Sequence, residues 1–167
     1  MKKCILASVL VLSLLGCELA TEETLEPFEA EVPDNATLVA GEDGWISLFD
    51  GESFSGWRGF RMHEMPKGWS ITEAGELHFD GEGSGDIITT HQFENFELRL
   101  EWQISAGGNS GIFFGVTEDE SRVYRTGPEM QVLDNSKHKD GKSPLTSAGA
   151  NYALHPATED NCSRVQR

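Results

Sequence analysis

A run of nine residues, from Phe96 to Ile104, alternates apolar and polar side chains at every position and constrains the fold more than any other segment. Successive side chains of a β-strand point to opposite faces, so this period of two places the apolar residues on one face and the polar residues on the other. The apolar face consists of Phe96, Leu98, Leu100, Trp102 and Ile104. The run therefore predicts a strand that covers a hydrophobic core and turns its polar face to solvent or to a ligand.

The rest of residues 44–150 continues this pattern in shorter pieces. Gly, Asp, Asn and Pro recur at short intervals, and no long stretch has the 3.6-residue apolar period of a helix. Further strands are expected at residues 46–49, 69–72, 76–79, 86–90, 111–116 and 129–133. Repeated short strands between Gly-rich turns predict an all-β fold built as a sandwich of two antiparallel sheets.

The N-terminal segment has the pattern of an export signal rather than of folded structure. Lys2 and Lys3 precede an apolar run that ends at Leu15 and is too short to span a bilayer as a helix. Gly16 and Cys17 then complete a sequence that resembles a bacterial lipobox. Residues 1–16 are thus expected to be a lipoprotein signal peptide, with lipidation at Cys17 holding the protein on the bacterial cell envelope. The alternative is an ordinary signal peptide that happens to contain a cysteine.

Residues 17–43 are expected to form an acidic, disordered tether. They contain nine acidic residues, no Lys or Arg, two prolines and no sustained apolar period. A solvated spacer and a sorting signal both fit this composition.

Charge and cysteine content exclude several classes of protein. The chain has 28 acidic and 13 basic residues and a formal charge of −15, which argues against nucleic-acid binding because that binding depends on cations that neutralise phosphate. Three cysteines, two of them in the first 17 residues, cannot form a disulfide framework. Stability must therefore come from a packed core.

An ordered series of motifs resembles one family. The motifs include Gly44-Trp-Ile-Ser-Leu-Phe-Asp-Gly51, Ser55-Gly-Trp-Arg58, Gly68-Trp69, Gly75-Glu-Leu77, Gly85-Asp-Ile-Ile-Thr89, Asn95-Phe-Glu-Leu98, Asn109-Ser-Gly-Ile-Phe113, Gly127-Pro-Glu-Met-Gln-Val-Leu-Asp134 and Ser147-Ala-Gly-Ala150. They resemble the 3-keto-disaccharide hydrolase family. The resemblance implies a concanavalin-like jelly roll over residues 44–160. It also implies an enzyme that cleaves glycosides oxidised at carbon 3, by hydrolysis or by β-elimination followed by hydration.

The C-terminal part departs from that family, whose members continue with several more strands. This chain reaches only an irregular tail at residues 161–167. An incomplete sandwich, from a truncated reading frame, is expected on this ground, and a natural compact variant is the alternative. An inactive truncated protein and a noncatalytic carbohydrate-binding module on the same fold remain rivals to the enzyme, because a fold alone does not fix function. The oligomeric state stays open.

Four polar residues follow one another closely on and after the last predicted strand. A ketone at carbon 3 acidifies the hydrogen on carbon 2, so the site needs a base, an electrophile at the developing oxyanion and an acid for the leaving oxygen. Glu129, Asp134 and His138 are the catalytic candidates, and Glu129, Gln131 and His138 are the candidate ligands of a divalent metal ion. A solvated strand face followed by a polar surface loop is the alternative.

Three further residues are candidates for substrate binding, together with Gln131. Arg58 can hold a carbonyl or hydroxyl pair with its guanidinium, and Trp57 beside it can stack on a sugar ring. Asn109 lies in a Gly-rich turn between two predicted strands. The alternative role of Arg58 is an ion pair with a carboxylate. The alternative role of Asn109 is to form a purely structural turn.

Overall fold

A computed structural model describes residues 25–32, 38–83 and 85–157. Within these ranges the chain forms short antiparallel strands and two single-turn 3-10 helices, at Val123–Arg125 and Lys139–Lys142, without an α-helix. The strands are β1 (Trp57–Gly59), β2 (Trp69–Ile71), β3 (Leu77–Phe79), β4 (Ile87–Thr89), β5 (Asn109–Phe113) and β6 (Glu129–Leu133). The predicted all-β, antiparallel class is confirmed.

The strands pair into three two-stranded ladders, β1 with β4, β2 with β3 and β5 with β6. In the longest ladder Asn109 is opposite Leu133 and Phe113 is opposite Glu129. The bounds of β6 match the predicted strand at 129–133, and β2, β3 and β4 lie within their predicted ranges. The strand predicted at 111–116 begins earlier and ends at Phe113, β1 was not predicted, and residues 46–49 are not a strand.

The prediction for residues 96–104 was wrong in its main point. This run forms no strand ladder with any part of the chain that the structure describes. Phe96, Leu98 and Leu100 are 53%, 44% and 44% exposed, and Trp102 and Ile104 are half-buried. Alternation specifies two faces, but a strand also needs a neighbour whose N–H and C=O groups complete its hydrogen bonds. No described segment supplies that neighbour.

The buried apolar residues gather around β6 and the segment that follows it. They are Val123, Val132, Leu133, Ala148 and Ala150. This core is small. Since β6 contributes to it, β6 is the best-enclosed strand of the described structure and holds its own side chains more firmly than the other strands do.

A second neighbour lies along the free edge of β6. The N–H of Gln131 donates to the carbonyl of Ala150 (2.9 Å), and the N–H of Gly149 donates to the carbonyl of Gln131 (2.8 Å). Gly149 has φ of +81°, so residues 149 and 150 together oppose Gln131 in a β-bulge whose first position favours glycine. Beyond the bulge, Met130 bridges Asn151, and residues 149–152 continue antiparallel to β6.

Part of the predicted tether contacts the domain. The ring of Phe28 lies 5.3 Å from the guanidinium carbon of Arg58, 5.7 Å from that of Arg61 and 5.1 Å from the ring of His63. A guanidinium is attracted to an aromatic face at such distances. The predicted signal peptide, Cys17 and the tail at 161–167 lie outside the described residues. In the part that is described, no helix has the length and apolarity needed to cross a membrane.

Candidate active site

The carboxylate of Glu129 lies over Gly111 on the neighbouring strand. Gly111 pairs with Gln131, so the Glu129 side chain reaches it diagonally across the β5–β6 ladder. A Cβ atom built at Gly111 would lie only 2.6 Å from Cδ and 2.7 Å from Cγ of Glu129. Only glycine leaves room for this conformation, as is typical where a strand is approached closely by another group.

Burial and a neighbouring charge both act on the Glu129 carboxyl group. Glu129 is half-buried. Loss of hydration raises its pKa, and the negative charge of Asp86 raises it further. A carboxylate in this state is a stronger base than an ordinary surface glutamate. Asp86 was not a site candidate from the sequence, because its effect on Glu129 depends on tertiary folding and not on a local pattern.

Gln131 lies on the same face of β6, two residues further along, and is 1% exposed. Its amide Nε2 donates to the carbonyl of Thr146 at 3.5 Å. Its Oε1 has no hydrogen-bond partner among the described residues, although an unpaired buried acceptor costs about 1–3 kcal/mol. Gln131 thus forms the buried floor beside Glu129 rather than an exposed contact for a sugar.

Arg58 is held by an ion pair inside the protein. Its Nη1 and Nη2 donate to the two carboxylate oxygens of Glu118, at 2.7 Å and 2.6 Å, and the side chains are 9% and 15% exposed. The backbone N–H of Arg61 donates to the same carboxylate. Of the two roles considered for Arg58, the structure shows the ion pair. The partner, Glu118, is 60 residues away in the sequence, and no local pattern marks it.

Trp57 and Asn109, the other two candidates for substrate binding, lie on β1 and β5. The indole N–H of Trp57 donates to the carbonyl of Leu48 at 2.6 Å, and its ring is half-buried. This bond fixes the indole ring, and its role in stacking on a sugar stays a prediction. Asn109 is exposed at the first position of β5, opposite Leu133, and therefore lies at the far end of the ladder from Glu129.

Asp134 and His138 also lie at that far end. Asp134 accepts hydrogen bonds from the N–H of Gly107 (2.8 Å), the N–H of Ser136 (2.9 Å) and the hydroxyl of Ser136 (2.6 Å). The Ser136 hydroxyl and these N–H groups lower the pKa of Asp134 to about 2. His138 accepts a hydrogen bond from the N–H of Asp140 at its Nδ1 (3.2 Å) and caps the 3-10 helix Lys139–Lys142. Both side chains stabilise a turn.

The predicted metal ligands do not surround a common point. Glu129 opens β6, a strand about 13 Å long, and His138 follows in the turn beyond its opposite end. Gln131 is buried between them. Among residues 25–32, 38–83 and 85–157, no three side chains of His, Cys, Asp or Glu are placed to hold a metal ion. The divalent-metal site formed by Glu129, Gln131 and His138 stays a prediction.

Sequence comparisons relate the chain to proteins that act on oxidised sugars. A family model described as "3-keto-alpha-glucoside-1,2-lyase-like domain" matches residues 44–167. A Bacteroides thetaiotaomicron protein named 3-keto-disaccharide hydrolase is 39% identical over 149 residues, which cover 77% of this chain and 51% of the relative. The chain spans about half the length of the curated relative that it matches.

A structural comparison agrees with the sequence comparison. A crystal structure from Parabacteroides distasonis, described as that of a "putative glycosyl hydrolase", matches with a TM-score of 0.56 and 27% identity. The match covers 70% of this chain and 56% of the other. The all-β, jelly-roll-like sandwich class expected from the motifs is thereby confirmed.

Proposed function

The chain belongs to the family of 3-keto-alpha-glucoside-1,2-lyase-like domains, and on that premise we propose that it cleaves the glycosidic bond of sugars oxidised at carbon 3. The family that the sequence motifs suggested is confirmed by the family match and by the curated relative. The observation that carries the proposal is the half-buried Glu129 carboxylate, fixed over Gly111 with a raised pKa. It supplies the base that such a reaction needs.

The first step is removal of the hydrogen on carbon 2. The ketone at carbon 3 accepts the electron pair as an enolate, which makes this hydrogen far more acidic than in an unoxidised sugar. The Glu129 carboxylate takes the proton, the enolate returns its electron pair to form a carbon 1–carbon 2 double bond, and the bond from carbon 1 to the glycosidic oxygen breaks. Addition of water to the double bond would complete a net hydrolysis.

Desolvation of Glu129 favours this step. A fully hydrated carboxylate with an ordinary pKa is a weak base toward a carbon acid, whereas one with a raised pKa is closer to the value that suits proton abstraction near neutral pH. The absence of a side chain at position 111 leaves the space that the carboxylate occupies.

Turnover of a 3-keto-disaccharide tests the proposal. The purified chain should release the monosaccharide from the 3-keto form and leave the unoxidised disaccharide intact, because the latter has no acidic hydrogen on carbon 2. Glu129→Gln should lower the rate by about 10²–10⁴-fold. Glu101→Gln, at an exposed position on residues 96–104, is the matched control. Equal activity of Glu129→Gln and the unmodified chain would contradict the assignment of Glu129.

We also propose that the protein is exported and held on the bacterial envelope through Cys17. The support is the charged and apolar N-terminal sequence that ends in Leu14-Leu15-Gly16-Cys17. Cells that express the full chain should incorporate a labelled fatty acid into it, and Cys17→Ala should abolish that label. Incorporation that persists in Cys17→Ala would show that another residue is modified.

A further inference from the structure

Tyr152 is in register with Glu129 on the strand segment that borders β6. Its backbone N–H donates to the carbonyl of Glu129 at 2.8 Å, two residues beyond the bulge at Gly149 and Ala150. Directly paired residues of antiparallel strands carry their side chains on the same face, with Cβ atoms about 4.5–5.5 Å apart. The side chains of Tyr152 and Glu129 therefore start from adjacent points on one face, and the Glu129 carboxylate extends from there toward Gly111 on the other side of β6.

The backbone around Tyr152 is firmly held. Ala153 has φ of +58°, a left-handed conformation that costs a residue with a Cβ atom about 1–2 kcal/mol. Its N–H donates to the carbonyl of Leu145 at 2.8 Å, and the N–H groups of Leu154 and His155 both donate to the carbonyl of Asn151. Strain that is kept by several hydrogen bonds fixes the position of Tyr152 and points to a functional reason for it.

Tyr152 is also accessible. Its side chain is 37% exposed, whereas its neighbours on the same face, Gln131 and Ala150, are buried. A hydroxyl on this rim can meet a ligand that lies over Glu129. In contrast, the sequence candidates Asp134 and His138 cannot supply a proton there, because they lie at the other end of β6.

The proposed reaction leaves one requirement unmet. Breaking the bond at carbon 1 generates an alkoxide, which is a poor leaving group unless a proton reaches its oxygen as the bond breaks. Carbon 1 is bonded to carbon 2. The acid must therefore reach the oxygen on carbon 1 while the base contacts the hydrogen on carbon 2. Tyr152 and Glu129 occupy paired strand positions, so the phenol meets this spacing if it reaches over β6 toward the carboxylate above Gly111.

We propose that Tyr152 is the general acid that protonates the glycosidic oxygen as it leaves carbon 1, an inference that rests on the function proposed above. The proton on the carbon 2 atom passes to Glu129, the electron pair becomes the carbon 1–carbon 2 double bond, and the phenol proton passes to the departing oxygen. Tyr152 is left as a phenolate and Glu129 as a carboxylic acid. Transfer of that proton from Glu129 to Tyr152, directly or through water, restores both groups.

Leaving-group dependence tests the role. Two 3-keto-glucosides, one with an alkyl and one with a nitrophenyl group on carbon 1, are compared for the unmodified chain, Tyr152→Phe and Tyr124→Phe. The control removes the hydroxyl of the chain's other tyrosine, which lies 64% exposed in the 3-10 helix Val123–Arg125. Tyr152→Phe should lower release of the alkyl alcohol by about 10²–10⁴-fold. It should affect release of nitrophenol much less, because that oxygen leaves without a proton, and Tyr124→Phe should affect neither.

Exchange of the hydrogen on carbon 2 with deuterated water provides a second measurement. Tyr152→Phe should still exchange this hydrogen at the rate of the unmodified chain, because Glu129 is intact, while Glu129→Gln should not. An equal loss of alkyl and nitrophenyl turnover, a loss of exchange in Tyr152→Phe, or full activity of Tyr152→Phe would each overturn the inference. If the unmodified chain neither exchanges nor cleaves either substrate, the proposed function fails first and the role of Tyr152 with it.

Discussion

Gly111 and Glu129 lie diagonally across the β5–β6 ladder, and the Glu129 carboxylate occupies the space that a side chain at position 111 would need. The absence of a side chain at position 111 therefore sets the position of the Glu129 carboxylate.

Gly111→Ala should displace the Glu129 carboxylate. The added methyl group cannot fit beside Cδ and Cγ at 2.6 Å and 2.7 Å, so the glutamate must adopt another rotamer. A misplacement of about 1 Å lowers the rate by about 10²-fold, and we expect kcat/KM on a 3-keto-disaccharide to fall by that order. Ser110→Ala, the neighbouring exposed position, is the control. Unchanged kcat/KM in Gly111→Ala would show that activity does not depend on the position of the Glu129 carboxylate over residue 111.

Asp86→Asn should shift the pH profile of kcat/KM. The pKa of Glu129 is raised first by burial and then by the negative charge of Asp86. Removal of that charge lowers the pKa of Glu129, so the carboxylate is available as a base at lower pH and the acidic limb of the profile moves to lower pH. Asp119→Asn should leave the limb in place. A limb that moves to higher pH in Asp86→Asn would contradict the assignment of the limb to Glu129.

Glu118→Ala should destabilise the fold severely. It leaves the buried Arg58 guanidinium without its bidentate partner, and breaking a buried ion pair from one side costs about 3–5 kcal/mol. Glu120→Ala removes the exposed partner of Arg125, whose ion pair is 57% and 47% exposed, and should cost less than about 1 kcal/mol. Unfolding in urea, followed by circular dichroism, measures both. Similar free energies of unfolding for the two variants would show that burial adds nothing to the Arg58–Glu118 pair.

The same ion pair should make stability depend on pH. Burial tends to raise the pKa of Glu118, but hydrogen bonds from Arg58 and from the Arg61 N–H, with the charge of Arg58, lower it below its usual value. A lowered pKa stabilises the folded state fully above the ordinary glutamate pKa of about 4.3, and this stabilisation is lost as the pH falls below it. The difference in unfolding free energy between the unmodified chain and Glu118→Gln should therefore shrink between pH 6 and about pH 3. A difference that grows toward acid would contradict this.

Phe28→Ala should loosen the N-terminal segment from the domain. The ring contacts the guanidinium groups of Arg58 and Arg61, and cation–π contacts contribute about 0.5–2 kcal/mol. We expect a fall of about 1 kcal/mol in the free energy of unfolding and faster proteolysis within residues 25–32. Val39→Ala, at a side chain that is 84% exposed, is the control. Equal proteolysis of the two variants would show that Phe28 does not hold the segment.

Except for β1, the strands that have a partner in the structure were predicted from the sequence. The alternation at residues 129–133 is matched by β6, which has neighbours on both edges. The stronger alternation at 96–104 has no such neighbour in the described structure and forms no ladder. The period of the apolar residues indicates only which side chains share a face of a strand. Whether that strand pairs with another depends on segments far away in the chain.

The candidate site was predicted only in part for a related reason. Glu129, Asp134 and His138 are close in sequence, but an extended strand advances about 3.3 Å per residue and separates them. The residues that do surround Glu129 come from other strands: Gly111 by the register of β5, Asp86 by the folding of β4, and Tyr152 by the segment beyond the bulge. Their proximity depends on tertiary pairing that no local pattern encodes.

The bulge at Gly149 and Ala150 has a consequence for which changes this part of the chain can tolerate. Upstream of it, the N–H of Ala148 donates to the side-chain oxygen of Asn135 at 2.8 Å, and downstream Tyr152 is bonded to Glu129. Both bonds can form only if the bulge contributes its one extra residue. A deletion or insertion there would force the chain to give up one of the two, even if every remaining side chain were unchanged. Along residues 148–152, the structure therefore constrains the number of residues as well as their identity.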